Sequence, residues 1–231
     1  MASSAPRSVR IVPGELETKS AMTRLVIPSS GQPAWPPFLR AGETVVSRLR
    51  RFPSHLHDRE EVLTYVSEGF ATYQLDTRPA HLLSPGSARL LSSPSRSTHQ
   101  ISPARAGPIR WFSLVVGIPP SASNELHLQA SEPPVFPQYE ESAVVRRLVG
   151  PGAEMTSSIG LECREILFVE RSTTFQRVGH DRRGLVYVLA GRGSVEGHDV
   201  EVGDGVLAEG VTGIAIQNVE GLRVIAASAP R

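Results

Sequence analysis

The sequence predicts an all-β protein built from two similar antiparallel β domains, and three observations indicate this fold class. Helical periodicity is scarce along the 231 residues. Short apolar and β-branched runs alternate with turns drawn from 20 glycines and 19 prolines. One short motif also occurs in both halves of the chain. Many short strands between turn residues are typical of β-sandwiches and β-barrels, so we expect two barrel domains.

The predicted strands follow one another as apolar runs that end at turns. Side chains of an extended strand alternate between its two faces, so a continuous apolar run indicates a strand that is buried on both faces. A glycine within a run indicates a turn between two strands. The runs, in chain order, are 43–52, 61–75, 109–118, 184–197 and 222–229.

The motif L-x-Y-V-x-x-G occurs at residues 63–69 and again at residues 185–191. Each copy reads as a strand that ends at a glycine turn. A second turn follows in each half, at Pro85-Gly86 and at Val202-Gly203-Asp204. The motif therefore predicts that the two halves are similar β domains.

Residues 119–143 differ in composition from the rest, because prolines and serines replace the periodic apolar residues. Such a stretch is typical of a connector. We therefore predict an N-terminal domain at 1–118, a linker at 119–143 and a C-terminal domain at 144–231.

The charge and cysteine content exclude several classes of protein. Lys and Arg number 24 against 23 Asp and Glu, so no broad electrostatic field favours nucleic acid or an anionic membrane. The single cysteine, Cys163, cannot form an internal disulfide, which fits a reducing compartment. Residues 1–14 contain no apolar signal segment, and no stretch is long enough to cross a bilayer. We expect a cytoplasmic protein.

Two histidines separated by a single residue are the best candidates in the sequence for a functional site. Residues i and i+2 of a strand project to the same side, so His55 and His57 can reach one metal ion from one strand. A first-row divalent ion needs a further imidazole or carboxylate from a neighbouring strand. His99 is the best candidate. The second half offers only His180 at the comparable position, so we expect no metal site there.

The stretch at residues 53–69 resembles the metal-binding half of the pirin family, a branch of the cupin superfamily. Pirins carry a segment of the form H-P-H-R-G-F-E-T-V-T-Y-x-x-E-G and, later, a P-G turn whose glycine precedes a third histidine by thirteen residues. Gly86 and His99 keep that count. The resemblance covers roughly residues 40–225 and is strong over 53–119. The matching residues, at corresponding or adjacent positions, are His55, His57, Glu61, Val62, Thr64, Tyr65, Glu68 and Gly69.

The resemblance implies a bicupin, with two cupin (jelly-roll) barrels and iron(II) or a similar ion on the three histidines of the first barrel. The family's fourth ligand is a glutamate two residues after the third histidine, and Ile101 takes that position here. Glu61 and Gln100 are the candidate substitutes. In a strand, Gln100 should point to the face opposite to that of His99, because adjacent side chains alternate. Glu61 is an even number of residues from His57 and should point to the same face as His57, unless the turn at 58–60 interrupts the alternation. If Glu61 is not a ligand, it could orient an imidazole or act as a base, and we expect the first role.

The resemblance also implies alternative functions. Some pirins resemble quercetin 2,3-dioxygenase in activity, which implies an Fe(II) oxygenase for an enolic or flavonol-like small molecule. Other members are metal- or redox-responsive regulators, which implies a protein partner without turnover. The missing glutamate leaves a third alternative, a degenerate bicupin that binds no metal. None of these alternatives involves nucleic acid or a membrane.

Overall fold

The computed structural model describes residues 8–18, 22–28, 34–46, 52–105, 107–122, 125–134, 138–140 and 142–231. Within them the chain forms twenty strands and no helix, so the all-β prediction is confirmed. No helix in this part of the chain has the length and apolar character needed to cross a membrane. Every strand pairing is antiparallel, also as predicted.

The strands, in chain order, are β1 (Ser8–Val12), β2 (Glu15–Thr18), β3 (Met22–Ile27), β4 (Phe38–Val46), β5 (His55–His57), β6 (Glu60–Glu68), β7 (Ala71–Leu75), β8 (His81–Leu83), β9 (Ala88–Ser93), β10 (Ser97–Pro103), β11 (Ile109–Gly117), β12 (His127–Ser131), β13 (Tyr139–Glu140), β14 (Ala143–Val149), β15 (Glu162–Phe168), β16 (Thr173–Arg177), β17 (Arg182–Val195), β18 (His198–Glu201), β19 (Gly205–Glu209) and β20 (Gly213–Pro230).

The chain divides into two compact units whose limits differ from the predicted domains. The N-terminal unit comprises Glu15–Pro133 and Ser157–Ile159, and the C-terminal unit comprises the remaining described residues. Strand β1 pairs with β19 and therefore belongs to the C-terminal unit. Strand β12 pairs with β9, so part of the predicted linker is a strand of the N-terminal unit. Composition missed both assignments because each depends on pairing with a strand far away along the chain.

The N-terminal unit contains two sheets. The larger has the strand order β12-β9-β6-β11-β4-β3-β2, and the smaller has the order β5-β10-β7-β8. Buried side chains from both sheets form one core cluster, which excludes water from the space they share. The cluster includes Val62, Val66, Tyr73, Leu75, Ile101 and Trp111. The small sheet thereby holds β5 and β10, which carry the three histidines, against a packed core.

The C-terminal unit contains one nine-stranded sheet. Its main path has the order β1-β19-β17-β20-β15-β14-β13, while β16 pairs with β20 and β18 with β17. Strands β17 and β20 are 14 and 18 residues long, and irregularities in their pairing mark local shifts in register. A separate core cluster of mostly aliphatic side chains, together with Phe168, stabilises this unit.

The repeated motif adopts the same local structure in both units. Its first copy lies in β6 and its second in β17, and each ends at a glycine with positive φ, 75° and 73°. The amide of Gly86 donates to the carbonyl of Val66 at 2.7 Å, and the amide of Gly203 donates to the carbonyl of Val188 at 2.9 Å. Val66 and Val188 occupy the same position of the motif. The second turn therefore closes against the first strand in the same way in each unit.

Candidate metal centre

The three histidines lie on two neighbouring strands of the small sheet. His55 and His57 begin and end β5, and His99 lies on β10. In the antiparallel register His99 is directly opposite His55. Alternation along β5 sends the first and third side chains to the same face, where the side chain of His99 meets them. The structure thus brings together the three residues that the sequence predicts as ligands.

The three imidazoles converge through their Nε2 atoms. Nε2 of His99 lies 2.7 Å from Nε2 of His55 and 3.3 Å from Nε2 of His57. One nitrogen of each ring lies within 4.8 Å of the others. Two nitrogens that each bind one zinc-like ion at about 2.0–2.1 Å are roughly 3.3 Å apart in a tetrahedral site. The separation of His99 from His57 equals this value and its separation from His55 is shorter, so the three nitrogens lie close enough together to share a single ion.

The opposite nitrogen of each ring, Nδ1, has its own partner. Nδ1 of His55 donates to the carbonyl oxygen of Pro53 at 3.2 Å, and Nδ1 of His57 donates to Oε2 of Glu60 at 2.6 Å. Carbonyl and carboxylate oxygens only accept hydrogen bonds, so Nδ1 of each of these two rings carries a proton and Nε2 is the nitrogen that is available to a metal ion. Such partners orient the imidazoles of metal sites.

His99 has a different Nδ1 partner. Its Nδ1 lies 2.8 Å from the hydroxyl oxygen of Tyr73, which is fully buried on β7. The ring of Tyr73 contacts the imidazole edge-on, with the centroids 5.1 Å apart. Tyr73 therefore fixes the ring plane of His99 as well as the direction of its Nδ1.

Burial keeps two of the imidazoles neutral. Removal from water lowers the pKa of His55, and the hydrogen bond to Pro53 only partly offsets this effect. Burial also lowers the pKa of His99 well below its usual value, and the neighbouring His55 and His57 lower it further. Because a metal ion binds only the unprotonated nitrogen, low pKa values favour metal binding at neutral pH.

Glu60, rather than the predicted Glu61, orients an imidazole. The prediction assumed that strand alternation continues from β5 to β6, but Arg59 between them has a φ of 59° and breaks it. The tight turn brings the carboxylate of Glu60 back to His57. The sequence contained one signal for this outcome, the charged turn at residues 58–60, which follows the second histidine directly.

The carboxylate of Glu61 is fully buried and bonds to serines. It accepts hydrogen bonds from the hydroxyls of Ser92 at 2.9 Å, Ser157 at 2.5 Å and Ser158 at 2.8 Å, and from the amide of Ser158 at 2.8 Å. Several donors to one carboxylate compensate for its removal from water. Glu61 thus anchors the segment 157–159 within the N-terminal unit and is not a metal ligand in this arrangement.

The other candidate substitute, Gln100, also lies outside the cluster. Its amide nitrogen donates to the carbonyl oxygen of Phe52 at 3.2 Å, in agreement with its expected direction away from His99. Ile101 is completely buried in the core cluster of the unit. Among the described residues the candidate ligand set consists of three histidines, which leaves coordination positions for water or a substrate.

A small cavity adjoins two of the histidines. The described residues enclose about 40 Å³ there, and Arg40, Phe52 and Trp111 form part of its wall beside His55 and His57. Sites for drug-sized ligands measure about 300–1,000 Å³. The cavity in this structure therefore suits a few small ligand atoms rather than a large polycyclic molecule.

The remaining histidines form no second cluster in the part of the chain that the structure describes. His127 is exposed and pairs with Glu125 at 3.0 Å, and Nδ1 of His180 contacts the carbonyl of Gly210 at 3.3 Å. His81 and His198 lie exposed at the first positions of β8 and β18.

Comparison with known proteins relates the whole chain to solved structures. No protein-family model matches the chain. No curated protein matches it either. The protein GK1651 from Geobacillus kaustophilus superposes with a TM-score of 0.85 at 20% identity, over 97% of this chain and 96% of that one.

Two further structures carry functional names. The bacterial pirin YhhW from Escherichia coli, solved in complex with nickel(II), has a TM-score of 0.82 at 13% identity and covers 96% of this chain and 99% of its own. A quercetin 2,3-dioxygenase from Acinetobacter baumannii has a TM-score of 0.79 at 15% identity, over 96% of this chain and 79% of that one. At these identities the likeness establishes the fold.

Proposed function

We propose that this chain, which has the fold of the pirin-like cupins, holds one divalent first-row metal ion on Nε2 of His55, His57 and His99. The convergence of the three Nε2 atoms supports this proposal most strongly. The Nδ1 partners add support, because they turn the lone pairs of His55 and His57 toward one another. Imidazole ligands suit iron, nickel, copper and zinc. We propose iron(II) as the resident ion and nickel(II) as an alternative, since one similar structure is a nickel complex.

The activity that we propose is an oxygenase reaction on an enolic small molecule. A bound iron(II) ion would supply a site at which an enolate and dioxygen react together. The three neutral imidazoles leave the full charge of the ion uncompensated, which favours an anionic oxygen donor as a further ligand. Arg40, whose charge acts on His55, adds attraction for an anion at the cavity. Phe52 and Trp111 contribute apolar walls that limit the access of water.

A second candidate, a metal-responsive binding protein without turnover, is favoured by the size of the cavity. The 40 Å³ beside the histidines is too small for a flavonol in this conformation. In that case the metal state would control the contact of this chain with a protein partner.

A lone buried cysteine and an oxidisable ion are both consistent with a cytoplasmic location, which we include in the proposal.

Metal analysis tests the shared part of both candidates. Protein purified without chelator should contain about one equivalent of a divalent ion by elemental mass spectrometry, and His57→Ala should lose it. His127→Ala is the matched control, because this exposed histidine should leave the metal content unchanged. Folded protein that takes up no ion from added iron(II) or nickel(II) would leave the metal-free bicupin as the remaining interpretation.

Oxygen consumption separates the two candidates. Iron-loaded protein is mixed with a panel that ranges from small enolic acids and diketones to flavonols. We expect uptake with the small enolic compounds and little with the flavonols, because of the cavity size. No uptake across the panel by protein that retains its ion would remove the oxygenase candidate and leave the binding protein.

A further inference from the structure

The C-terminal unit contains a cavity of about 510 Å³ that none of the three histidines lines. Its size falls within the range of about 300–1,000 Å³ that is usual for small-ligand sites. The wall is formed mainly by β14, β15 and β16, together with the end of β13. The lining residues that matter here are Glu140, Arg147, Glu162, Arg164, Phe175 and Arg177.

Two arginines of this cavity face each other across neighbouring strands. Arg147 on β14 is the direct partner of Arg164 on β15 in the antiparallel register. Like charges in that position repel each other and destabilise a sheet. The carboxylate of Glu140 offsets part of this repulsion, with one oxygen 3.2 Å from Arg147 and the other 3.8 Å from Arg164.

Arg164 and Arg177 differ in how they are held. Arg164 is partly buried, and its guanidinium donates to the side chain of Gln176 and, at 2.9 Å, to the carbonyl oxygen of Phe175. Burial lowers the pKa of Arg164, Glu140 raises it, and Arg147, Glu162 and Arg177 also act on it. The side chain of Arg177 is exposed, and its guanidinium has no hydrogen-bond or ion-pair partner among the described residues. One arginine is therefore fixed in place and the other is available to a ligand.

Phe175 presents an aromatic face at the same cavity. Its side chain is 53% exposed, although large aromatic side chains are usually buried. The ring lies on the backbone of β20, because a Cβ atom built at Gly213 would come within 2.2 Å of it. Gly213 therefore provides the space for the ring against the strand, while much of the ring remains accessible to a ligand.

We propose that this cavity binds a small aromatic carboxylate, with the carboxylate on Arg177 and Arg164 and the ring against Phe175. Guanidinium groups recognise carboxylates through paired hydrogen bonds, and planar rings stack on aromatic faces. The cavity wall carries three arginines and two glutamates, so one positive charge remains, and it matches a monoanion better than a phosphate dianion. This site is independent of the function proposed for the histidines.

Calorimetry on the 231-residue chain tests the proposal, with 2-naphthoate as the probe. The neutral isostere 2-naphthamide and inorganic phosphate should bind more weakly by about tenfold or more, because each lacks one of the two recognised groups. Arg177→Gln should weaken 2-naphthoate binding by about tenfold, through loss of a charge-assisted hydrogen bond. Phe175→Ala should weaken it by about threefold to tenfold, through loss of ring contact. Both side chains are exposed, so both variants should fold.

Two control variants make the test specific. Arg192→Gln removes an exposed arginine of the same sheet that pairs with Glu220, and it should bind 2-naphthoate as the unmodified chain does. His57→Ala should also bind it normally, even though it loses metal. The proposal would be overturned if 2-naphthoate failed to bind at millimolar concentration or if Arg177→Gln and Phe175→Ala left its affinity unchanged. Phosphate that binds as tightly as 2-naphthoate, or loss of binding in His57→Ala, would overturn it equally.

Discussion

Oε2 of Glu60 lies 2.6 Å from Nδ1 of His57, on the side of the ring that faces away from the other imidazoles. The next residue, Glu61, directs its carboxylate to three serines instead. The two adjacent glutamates therefore have different roles, since Glu60 orients a candidate metal ligand and Glu61 stabilises the fold. This division leads to separate predictions for the two residues.

Glu60→Gln should weaken metal binding while leaving the fold intact. The amide oxygen of glutamine still accepts the proton of Nδ1, but the negative charge that strengthens His57 as a ligand is lost. We expect affinity to fall by about tenfold to a hundredfold in competition titrations with a chelator. Glu125→Gln, at the exposed partner of His127, is the control and should not change affinity. Unchanged affinity in Glu60→Gln would mean that the carboxylate does not support the ligand.

Glu61→Ala should destabilise the protein. The substitution leaves the hydroxyls of Ser92 and Ser157 and the amide of Ser158 without their acceptor. Loss of several hydrogen bonds to a buried charge should lower the free energy of unfolding by about 3 kcal/mol or more in urea denaturation. Glu154→Ala, at an exposed position, should cost little. A stable Glu61→Ala protein that instead loses its metal would assign Glu61 to the metal centre after all.

Ile101→Glu should strengthen metal binding at the expense of stability. Residue 101 lies two positions after His99 on β10, so its side chain shares the face of the imidazole. A carboxylate there would add a negative oxygen ligand, and we expect affinity to rise by about tenfold or more. The metal-free variant should be about 2–4 kcal/mol less stable, because the site is fully buried. Ile101→Gln should lose stability without the gain in affinity.

Glu43 should make the protein less stable as the pH rises. Burial raises the pKa of Glu43 to about 7, although Arg110 and the hydroxyl of Ser67 partly oppose the shift. Between the usual value of 4.5 and about 7 the folded state holds a proton that the unfolded state has released, so the free energy of unfolding falls across this range. This group should remove up to about 3 kcal/mol by neutral pH.

Glu43→Gln should therefore raise the stability at about pH 8 and have little effect at about pH 5, as measured by urea denaturation. Glu68→Gln is the control, because Glu68 also lies near Arg110 but is exposed. The assignment fails if Glu43→Gln destabilises the protein equally at both values, since that result would indicate a net favourable ion pair with Arg110.

The sequence could predict features that depend on local periodicity. Alternation in H-x-H was enough to place His55 and His57 on one face, and the position of His99 after a glycine turn indicated its neighbouring strand. The all-β class followed from apolar runs between turns. These patterns are readable because each depends on residues that are close in sequence.

Other features of the candidate metal centre depend on a backbone turn and on tertiary contacts, which the periodicity of the sequence does not encode. The positive φ of Arg59, a residue other than glycine, redirects the chain into β6, so that Glu60 rather than the predicted Glu61 orients His57. The hydroxyl of Tyr73 reaches His99 only because β7 pairs with β10. Two of the three serines that bind Glu61 follow it by almost a hundred residues. Such contacts come from tertiary pairing, which single-sequence patterns do not specify.

The route of the chain also limits how the protein can be dissected. A fragment that stops at residue 118 would lack β12 and the serines at 157 and 158, which would leave the edge of β9 unpaired and the buried carboxylate of Glu61 short of donors. A fragment that starts at residue 144 would lack β1, so β19 would expose an open edge that invites aggregation. Neither half, cut at the predicted boundaries, is a self-sufficient module, because each depends on residues that lie beyond its cut.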